Sequence, residues 1–429
     1  MSARPRLLFL CQTLPYPPDG GVWIRTYHIL RLLSRAFDIT ALCFERTPMG
    51  GADPARINQT GIEALSRFAR VEVFPIPQRH SRTRFVWDHV RSLASQQVYT
   101  TYRYESDDFA NRLDAIVRST GVRSAGIDLV HVDSLDLAAH LPACRDLPVI
   151  CVHHDVTSMQ LGRRAGIERA EWRRAYLRHQ ARLTEQSERQ WCARVAMNIA
   201  VSQEDATALT RLAPGARVAV VPNGVDVDEF RPGAGAGRGA AYIGGLHWFP
   251  NADALDYFAA DILPHVRAAH PTAPVTWIGS ATDEHQRHYA ARFGIDVSGY
   301  VDDVRPLMGG AACHIVPLRA GGGTRLKILN SWAMGKPVVS TTIGCEGLDA
   351  VDGQNILIRD DPKEFAAAMI AVLEDEALAR RLGEAGRATA EQHYSWDVIG
   401  RGLIDTYLNV IHVNSRGATL DAAGAGAAR

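Results

Sequence analysis

LRAGGGTRLKILNSWAMGKPVVST, Leu318–Thr341, reads as the end of an apolar strand, three glycines, a cationic turn, a short helix and a second apolar strand. A strand that passes through a glycine turn into a helix and returns as another strand is the repeating unit of a parallel, doubly wound α/β sheet. Glycines at such a turn let a ligand approach the backbone, and the N–H groups at the helix start favour an anion. Arg325 and Lys327 add positive charge there. Two residues apart on a helix, they point to different faces, so one of them is expected to meet a ligand first. A solvated βα loop is the plain alternative. Asn330 is a weak helix former in the middle of the stretch.

The same rhythm runs through the chain. RLLFLCQ, DITALCF, ARVEVF, DLVHVD, LPVICVHH, VAMNIAVS and RVAVVPNGV are apolar runs separated by amphipathic stretches. AAYIGGL, PVTWIGS, DVSGYV, CHIVPL, KPVVST and NILIRD repeat the pattern downstream. Between the two series lies RPGAGAGRG, Arg231–Gly239, glycine-rich and aperiodic, which reads as a linker. A chain of 429 residues also exceeds one ordinary core. The expected organisation is a first Rossmann-like domain at 1–231, a linker at 232–239 and a second domain at 240–395. A helix at 396–413 is expected to return to the first domain, and 414–429, small and polar, to be a disordered tail. Ile24, Tyr27, Leu30 and Leu33 are expected on the buried face of the first helix, and 163–194 is expected to be one long solvated helix. Ligands of open parallel sheets bind beyond the strands' carboxyl ends. Gly20, Gly21, Gly244, Gly245 and Gly321 to Gly323 are therefore expected to line a cleft between facing domains.

Lys plus Arg equal Asp plus Glu at 47 each, which weighs against a dedicated nucleic-acid binder. No apolar run is long enough to span a bilayer. The start, MSARPRLLFLCQTLPYPP, has no small-residue cleavage site and fits a buried strand better than a signal peptide. Seven cysteines without a CxxC pair, several inside strand patterns, point to a reducing cytoplasmic setting. RHSRTRFVWDHVRS and SQQVYTTYRYES mix aromatics with arginines. They fit an acceptor surface, peripheral contact with the inner face of an anionic membrane, or an ordinary helical connection with its arginines in solvent.

Familiar phosphate and metal motifs are missing. AMGKPVV is not a Walker A loop, and no GxGxxG follows a strand. VDVD at Val225–Asp228 imitates a DxD metal motif, but no other carboxylates converge on it, and CVHHDV lacks the HExxH spacing of a zinc site. No metal or other cofactor is expected. His154 ends a strand and fits either a substrate contact or a satisfied structural histidine; His153 should point the opposite way.

The ordered set VVPNGVDVDEFRP, YIGGLHWFPNADALDYF, VSGYVDDVRPLM and GGGTRLKILNSWAMGKPVVSTTIGCEGL resembles the retaining glycosyltransferases of group 1, glycosyltransferase family 4. LPYPPDGGVWIRTYHIL resembles that family's first glycine loop, and HHDVTS its His-Asn-Val-Glu-Ser turn. The resemblance covers nearly the whole chain and looks closest to a subgroup associated with exopolysaccharide assembly. It implies a GT-B fold, two Rossmann-like domains facing a central cleft. It also implies a nucleotide-sugar donor on the second domain, an acceptor (glycan, lipid-linked or small-molecule) on the first, and metal-independent transfer with retention. It places His154 at the transferred sugar and Gly20 and Gly21 near the diphosphate or acceptor. Tyr300 and Val301 fall at the base, and Gly323, Thr324, Arg325 and Leu326 at the diphosphate. The family's two glutamates, with seven residues between them, are replaced by Gly322 and Asn330. Its Arg and Lys after the first strand of the second domain are absent; His247 stands there, and Arg325 and Lys327 are candidates to substitute. These departures motivate a second reading, a binding or scaffold subunit of the same fold that catalyses weakly or not at all.

Overall fold

The computed structural model describes residues 4–46, 53–118, 126–233, 237–321 and 325–426. The chain forms two compact units, Met1–Val221 with Gly400–Arg429, and Pro222–Ile399.

The first unit carries seven strands: β1 (Arg6–Cys11), β2 (Asp38–Phe44), β3 (Arg70–Phe74), β4 (Leu129–Val132), β5 (Val149–Val152), β6 (Met197–Ala200) and β7 (Val218–Val220). They lie in the order β3-β2-β1-β4-β5-β6-β7, and every pairing is parallel. The strands β4 and β5 are apolar apart from His131 and buried throughout, as helices on both faces require. Helices used below are α1 (Gly21–Leu33), α2 (Arg82–Ala94), α3 (Thr157–Ile167) and α4 (Glu171–Cys192). One core layer centres on Phe44 and Phe109, stacked at 4.6 Å.

The second unit carries β8 (Ala240–Ile243), β9 (Val275–Ile278), β10 (Asp296–Val297), β11 (Cys313–Val316), β12 (Val338–Ser340) and β13 (Leu357–Ile358). Their order is β10-β9-β8-β11-β12-β13, again all parallel. Helices α5 (Phe249–Tyr257) and α6 (Leu326–Ala333) follow β8 and β11. Trp277 and Trp332 are fully buried in its core, and each indole N–H finds a carbonyl, Gly244 O at 3.2 Å and Asn355 O at 2.8 Å. Buried indoles need such partners. Both units are Rossmann-like, and all thirteen apolar runs read as strands are strands.

Four expectations are corrected. The second unit begins at Pro222, not beyond 231, because the stretch before the linker is bonded into it. Val225 N–H donates to Tyr394 O at 2.8 Å, and the Arg387 guanidinium caps Val227 O and Phe230 O at 2.9 and 3.0 Å. A side chain at Gly224 would lie 2.6 Å from Trp396, so the chain there tolerates only glycine. The last helix, α7, runs Trp396–Gly426, past the expected end at 413. Its alanine-rich end has high helix propensity despite its glycines. The span 163–194 is two helices, α3 and α4, interrupted at 168–170: Glu168 is extended, its carboxylate accepts from Ala170 N–H at 3.0 Å, and Arg174 caps its carbonyl at 2.9 Å. On α1, Ile24 and Tyr27 are only half-buried, while Arg25 and Thr26 are fully buried. Those two polar residues reach inward to Val221 O and to Asp133.

Glu188 of α4 is buried and accepts from Ser158 N–H at 3.1 Å and from the Ser158 hydroxyl. Burial, aided by Asp155, raises its pKa to about 7. A carboxyl whose folded pKa is raised contributes stability below the ordinary glutamate value and loses it as pH rises through the folded value. Glu188→Gln, which keeps an acceptor for Ser158, is expected to stabilise the fold at pH 8 by about 2–3 kcal/mol and to do nothing at low pH. Melting curves of both proteins at the two pH values check this.

Candidate functional site

In each sheet the strand order reverses once, between β1 and β4 and between β8 and β11. Those reversals are where the connections diverge to opposite faces and leave a crevice at the carboxyl ends. Gly20 and Gly21 follow β1, Asp133 follows β4, Gly244 and Gly245 follow β8, and Leu318 to Arg325 follow β11. A cavity of about 870 Å³ lined by Asp128, Pro148, Trp191 and Arg194 lies at the opposite, amino-terminal edge of the first sheet, the wrong edge for such a ligand.

In the second unit the reversal is built around Lys327. Its ammonium donates to Asn251 Oδ1 at 2.9 Å and to the Tyr242 hydroxyl, and it lies 4.0 Å from the Tyr242 ring centroid. Tyr242 is buried and stacked on Trp277 at 3.7 Å. Asn251, on α5, also receives Tyr242 O–H at 2.6 Å and donates to Gly245 O at 2.9 Å. Among the described residues no carboxylate pairs with Lys327. Burial, and then the Arg325 guanidinium, hold the Lys327 pKa well below the ordinary lysine value. Gly244 and Gly245 are required by this packing: a side chain would meet Asn251 at 2.6 Å or Ser280 at 2.5 Å.

Arg325 turns elsewhere. Its guanidinium donates to Ile343 O at 3.1 and 3.2 Å and lies 3.9 Å from the Glu346 carboxylate. The two cations therefore diverge, and Lys327 is the one placed between β8 and β11. Leu326, Lys327 and Asn330 share the less buried face of α6, three and four residues apart, while Ile328, Leu329, Trp332 and Ala333 pack inward. The Asn330 side chain bonds to no described residue; its carbonyl accepts from Met334 N–H at 3.1 Å. Gly322, Gly323 and Thr324 lie outside the described residues. Tyr300 is exposed just beyond Gly299, which bridges to Gly279. The Val301 side chain packs against the cluster of Ala241, Ile278 and Met308. His247 is held by Ser280 at 2.9 Å.

In the first unit the loop before Gly20 is pinned by Arg46, which bonds Pro17 O and Asp19 and stacks 3.8 Å over Trp23. Gly20 leaves room for that indole: a side chain would come within 2.6 Å of it. Gly21 opens α1. His154 Nε2 lies 3.4 Å from Asp133 Oδ1, and Asp133 is fully buried. Both Asp133 oxygens accept from the Thr26 hydroxyl, at 2.9 and 3.0 Å, and the Cys11 thiol is 3.6 Å away. Burial alone would raise the Asp133 pKa; the His154 and His131 imidazoles beside it, with Nε2 at 3.4 and 3.7 Å, outweigh that and hold the carboxylate below the ordinary range. His153 points away, as alternation along a strand demands, to Asn198 at 3.0 Å, and burial lowers its pKa to about 4.

The motifs set aside in the sequence have structural uses. Asp226 of VDVD caps its own turn, accepting from Asp228 and Glu229 N–H at 3.2 and 3.0 Å. Lys336 of AMGKPVV bonds the carbonyls of Gly309 and Ala311, each at 2.8 Å. No group of three or more His, Cys, Asp or Glu among the described residues is arranged to hold a metal. Sequence reasoning missed Asp133, Thr26, Tyr242 and Asn251. Asp133 did leave a signal, a carboxylate at the carboxyl end of an apolar strand; Asn251, mid-pattern in a helix, left none.

Comparison with known proteins agrees with this architecture. Residues 19–229 match the model described as Glycosyltransferase Family 4, and residues 237–375 the one described as Glycosyl transferases group 1. The chain is 26% identical over 365 residues to glycogen synthase of Mycobacterium tuberculosis, covering 77% of this chain and 83% of that protein. It is 27% identical over 212 residues to the phosphatidyl-myo-inositol mannosyltransferase of the same organism, covering 46% and 55%. Among solved structures, HepE of Anabaena in complex with UDP superposes with a TM-score of 0.64 at 16% identity, covering 94% of this chain and 99% of that one. A glycosyltransferase of Rickettsia africae reaches 0.65 at 13% identity, covering 95% and 99%.

Proposed function

Since the chain belongs to the family 4 and group 1 glycosyltransferases, we propose that it transfers a sugar from a nucleoside-diphosphate sugar to a glycan, lipid-linked or small-molecule acceptor, with retention of configuration and without a metal. The observation that carries this reading is Lys327, a half-buried cation with no carboxylate partner among the described residues, set where the second sheet reverses. A diphosphate supplies the missing counter-charge. As the anomeric C–O bond breaks, negative charge gathers on the departing phosphate, and Lys327 and the N–H groups at the start of α6 stabilise it there. The acceptor oxygen bonds the anomeric carbon on the same face and gives its proton to the leaving phosphate, so the step needs no flanking pair of carboxylates.

Each unit supplies further residues. Gly244 and Gly245 let the donor approach the end of β8, the backbone at Tyr300 and Val301 holds the base, and Asn330 faces the ribose. Gly20, Gly21 and His154, with Asp133 behind it, serve the sugar or acceptor hydroxyls. The solved HepE complexes with UDP and UDP-glucose support a nucleotide-sugar donor, and the glycogen synthase relative supports polysaccharide synthesis. Asn330→Glu restores a charged acceptor for ribose hydroxyls and is expected to tighten donor binding about tenfold; weaker binding in calorimetry would remove Asn330 from the ribose.

A thermal-shift screen of nucleoside diphosphates and nucleotide sugars, followed by product analysis with candidate acceptors, tests the function. A ligand that binds only the folded state raises the melting temperature by mass action. A broad panel giving neither shift nor product would sink the proposal. A scaffold subunit predicts a shift without product; it is not favoured.

A further inference from the structure

Helix α2 is inside out. Its inward face is polar: Asp88, 1% exposed, accepts from Gln78, and Ser92 is buried against Gln180 at 2.9 Å. Its outward face is apolar. Val86, Val90 and Leu93, at i, i+4 and i+7, form a stripe beside Trp87, which is 62% exposed, and Phe85 is half exposed at its edge. An ordinary connecting helix turns its apolar residues inward; here they face solvent together with Arg82, Arg84 and Arg91. The stripe continues onto α4, where Tyr176 packs on His89 of α2 at 6.1 Å and Trp172, one turn earlier, is 70% exposed. Around Trp172 the chain is basic: six arginines against two glutamates between 163 and 178, in a protein of zero net charge.

We propose that this face, α2 with the start of α4, docks the protein on an anionic phospholipid bilayer. Exposed Trp, Phe, Val and Leu on a helix flanked by arginines is the composition that seats at a lipid headgroup boundary, with apolar area buried among acyl chains and cations on anionic headgroups. Tryptophan is enriched at that depth because its ring is apolar and its N–H is not. A second copy of this chain is the poorer occupant, since it would set one arginine-rich rim against another. No helix among the described residues is long and apolar enough to cross the membrane, so the contact is peripheral. The inference stands on this surface alone and does not depend on the reaction proposed above.

The test is co-sedimentation of the full chain with phosphatidylcholine vesicles, with and without phosphatidylglycerol. The expected result is binding to the phosphatidylglycerol vesicles that weakens as salt is added. The pair Trp87→Ser and Val90→Ser, at exposed positions, should keep the melting temperature and lose about tenfold or more in vesicle binding. Arg169→Gln with Arg173→Gln should lose the preference for phosphatidylglycerol. Absence of vesicle binding, or undiminished binding by the Trp87/Val90 variant, overturns the proposal. So does a dimer in sedimentation that this variant dissolves, because that assigns the face to a second copy.

Discussion

Lys327→Met is expected to yield a more stable protein that no longer holds its donor. The wild-type ammonium sits against the Tyr242 ring and Asn251 with no carboxylate beside it, and burial followed by Arg325 lowers its pKa. A lysine with a depressed folded pKa binds fewer protons folded than unfolded, so its charge costs stability at neutral pH and the cost shrinks as pH rises toward the ordinary lysine value. Methionine keeps the stem's packing and removes the charge. The unliganded variant should therefore melt several degrees higher than wild type at pH 7, with a smaller gap at pH 10. A charge-assisted bond to phosphate is worth about 1.5–3 kcal/mol, so nucleoside-diphosphate affinity should fall about 10- to 100-fold. Differential scanning with and without ligand reads both effects in one experiment. A variant that melts lower but binds the nucleotide normally would make Lys327 a structural residue and return the phosphate to Arg325.

The legible parts of this molecule are those in which local pattern and burial coincide. Runs such as LVHV and VICV are buried on both sides, so an apolar signal, interrupted only by His131, locates β4 and β5. Their carboxyl ends, with the glycines behind β1, β8 and β11, then follow from topology. Sequence periodicity failed where a polar side chain is buried for a polar reason. Arg25 and Thr26 occupy the inner face of α1 because Val221 O and Asp133 are there to receive them, and no one-dimensional pattern reports a partner more than a hundred residues away. The same blindness hid the reversed face of α2, whose inward polar residues Asp88 and Ser92 are satisfied by Gln78 and Gln180. It also left Arg325 and Lys327 equivalent in the sequence, although one is tied to Ile343 and the other reaches β8. The break between α3 and α4 escaped because Arg174, within α4, caps the Glu168 carbonyl from six residues downstream.

Asp133→Asn is expected to damage both fold and turnover, in ways that separate. Asp133 is anchored by its own N–H to Leu10 O at 2.9 Å, holds the Thr26 hydroxyl with both oxygens and faces His154 at 3.4 Å. Its charge also supports buried Arg25, whose pKa burial has already lowered to about 10. Removing that charge from a fully buried cluster should cost about 3 kcal/mol. Because the carboxyl's folded pKa is depressed, this contribution is present above the ordinary aspartate value and fades as pH falls below roughly 4, so the gap between wild type and variant should close in acid. A purely structural role ends there. If Asp133 also orients His154, kcat should fall about 100-fold while nucleotide affinity, proposed to reside on the second unit, stays near wild type. The double variant with His154→Gln decides between the two: a loss no greater than that of His154→Gln alone means that Asp133 acts through the histidine, whereas additive losses mean that the two residues serve independently.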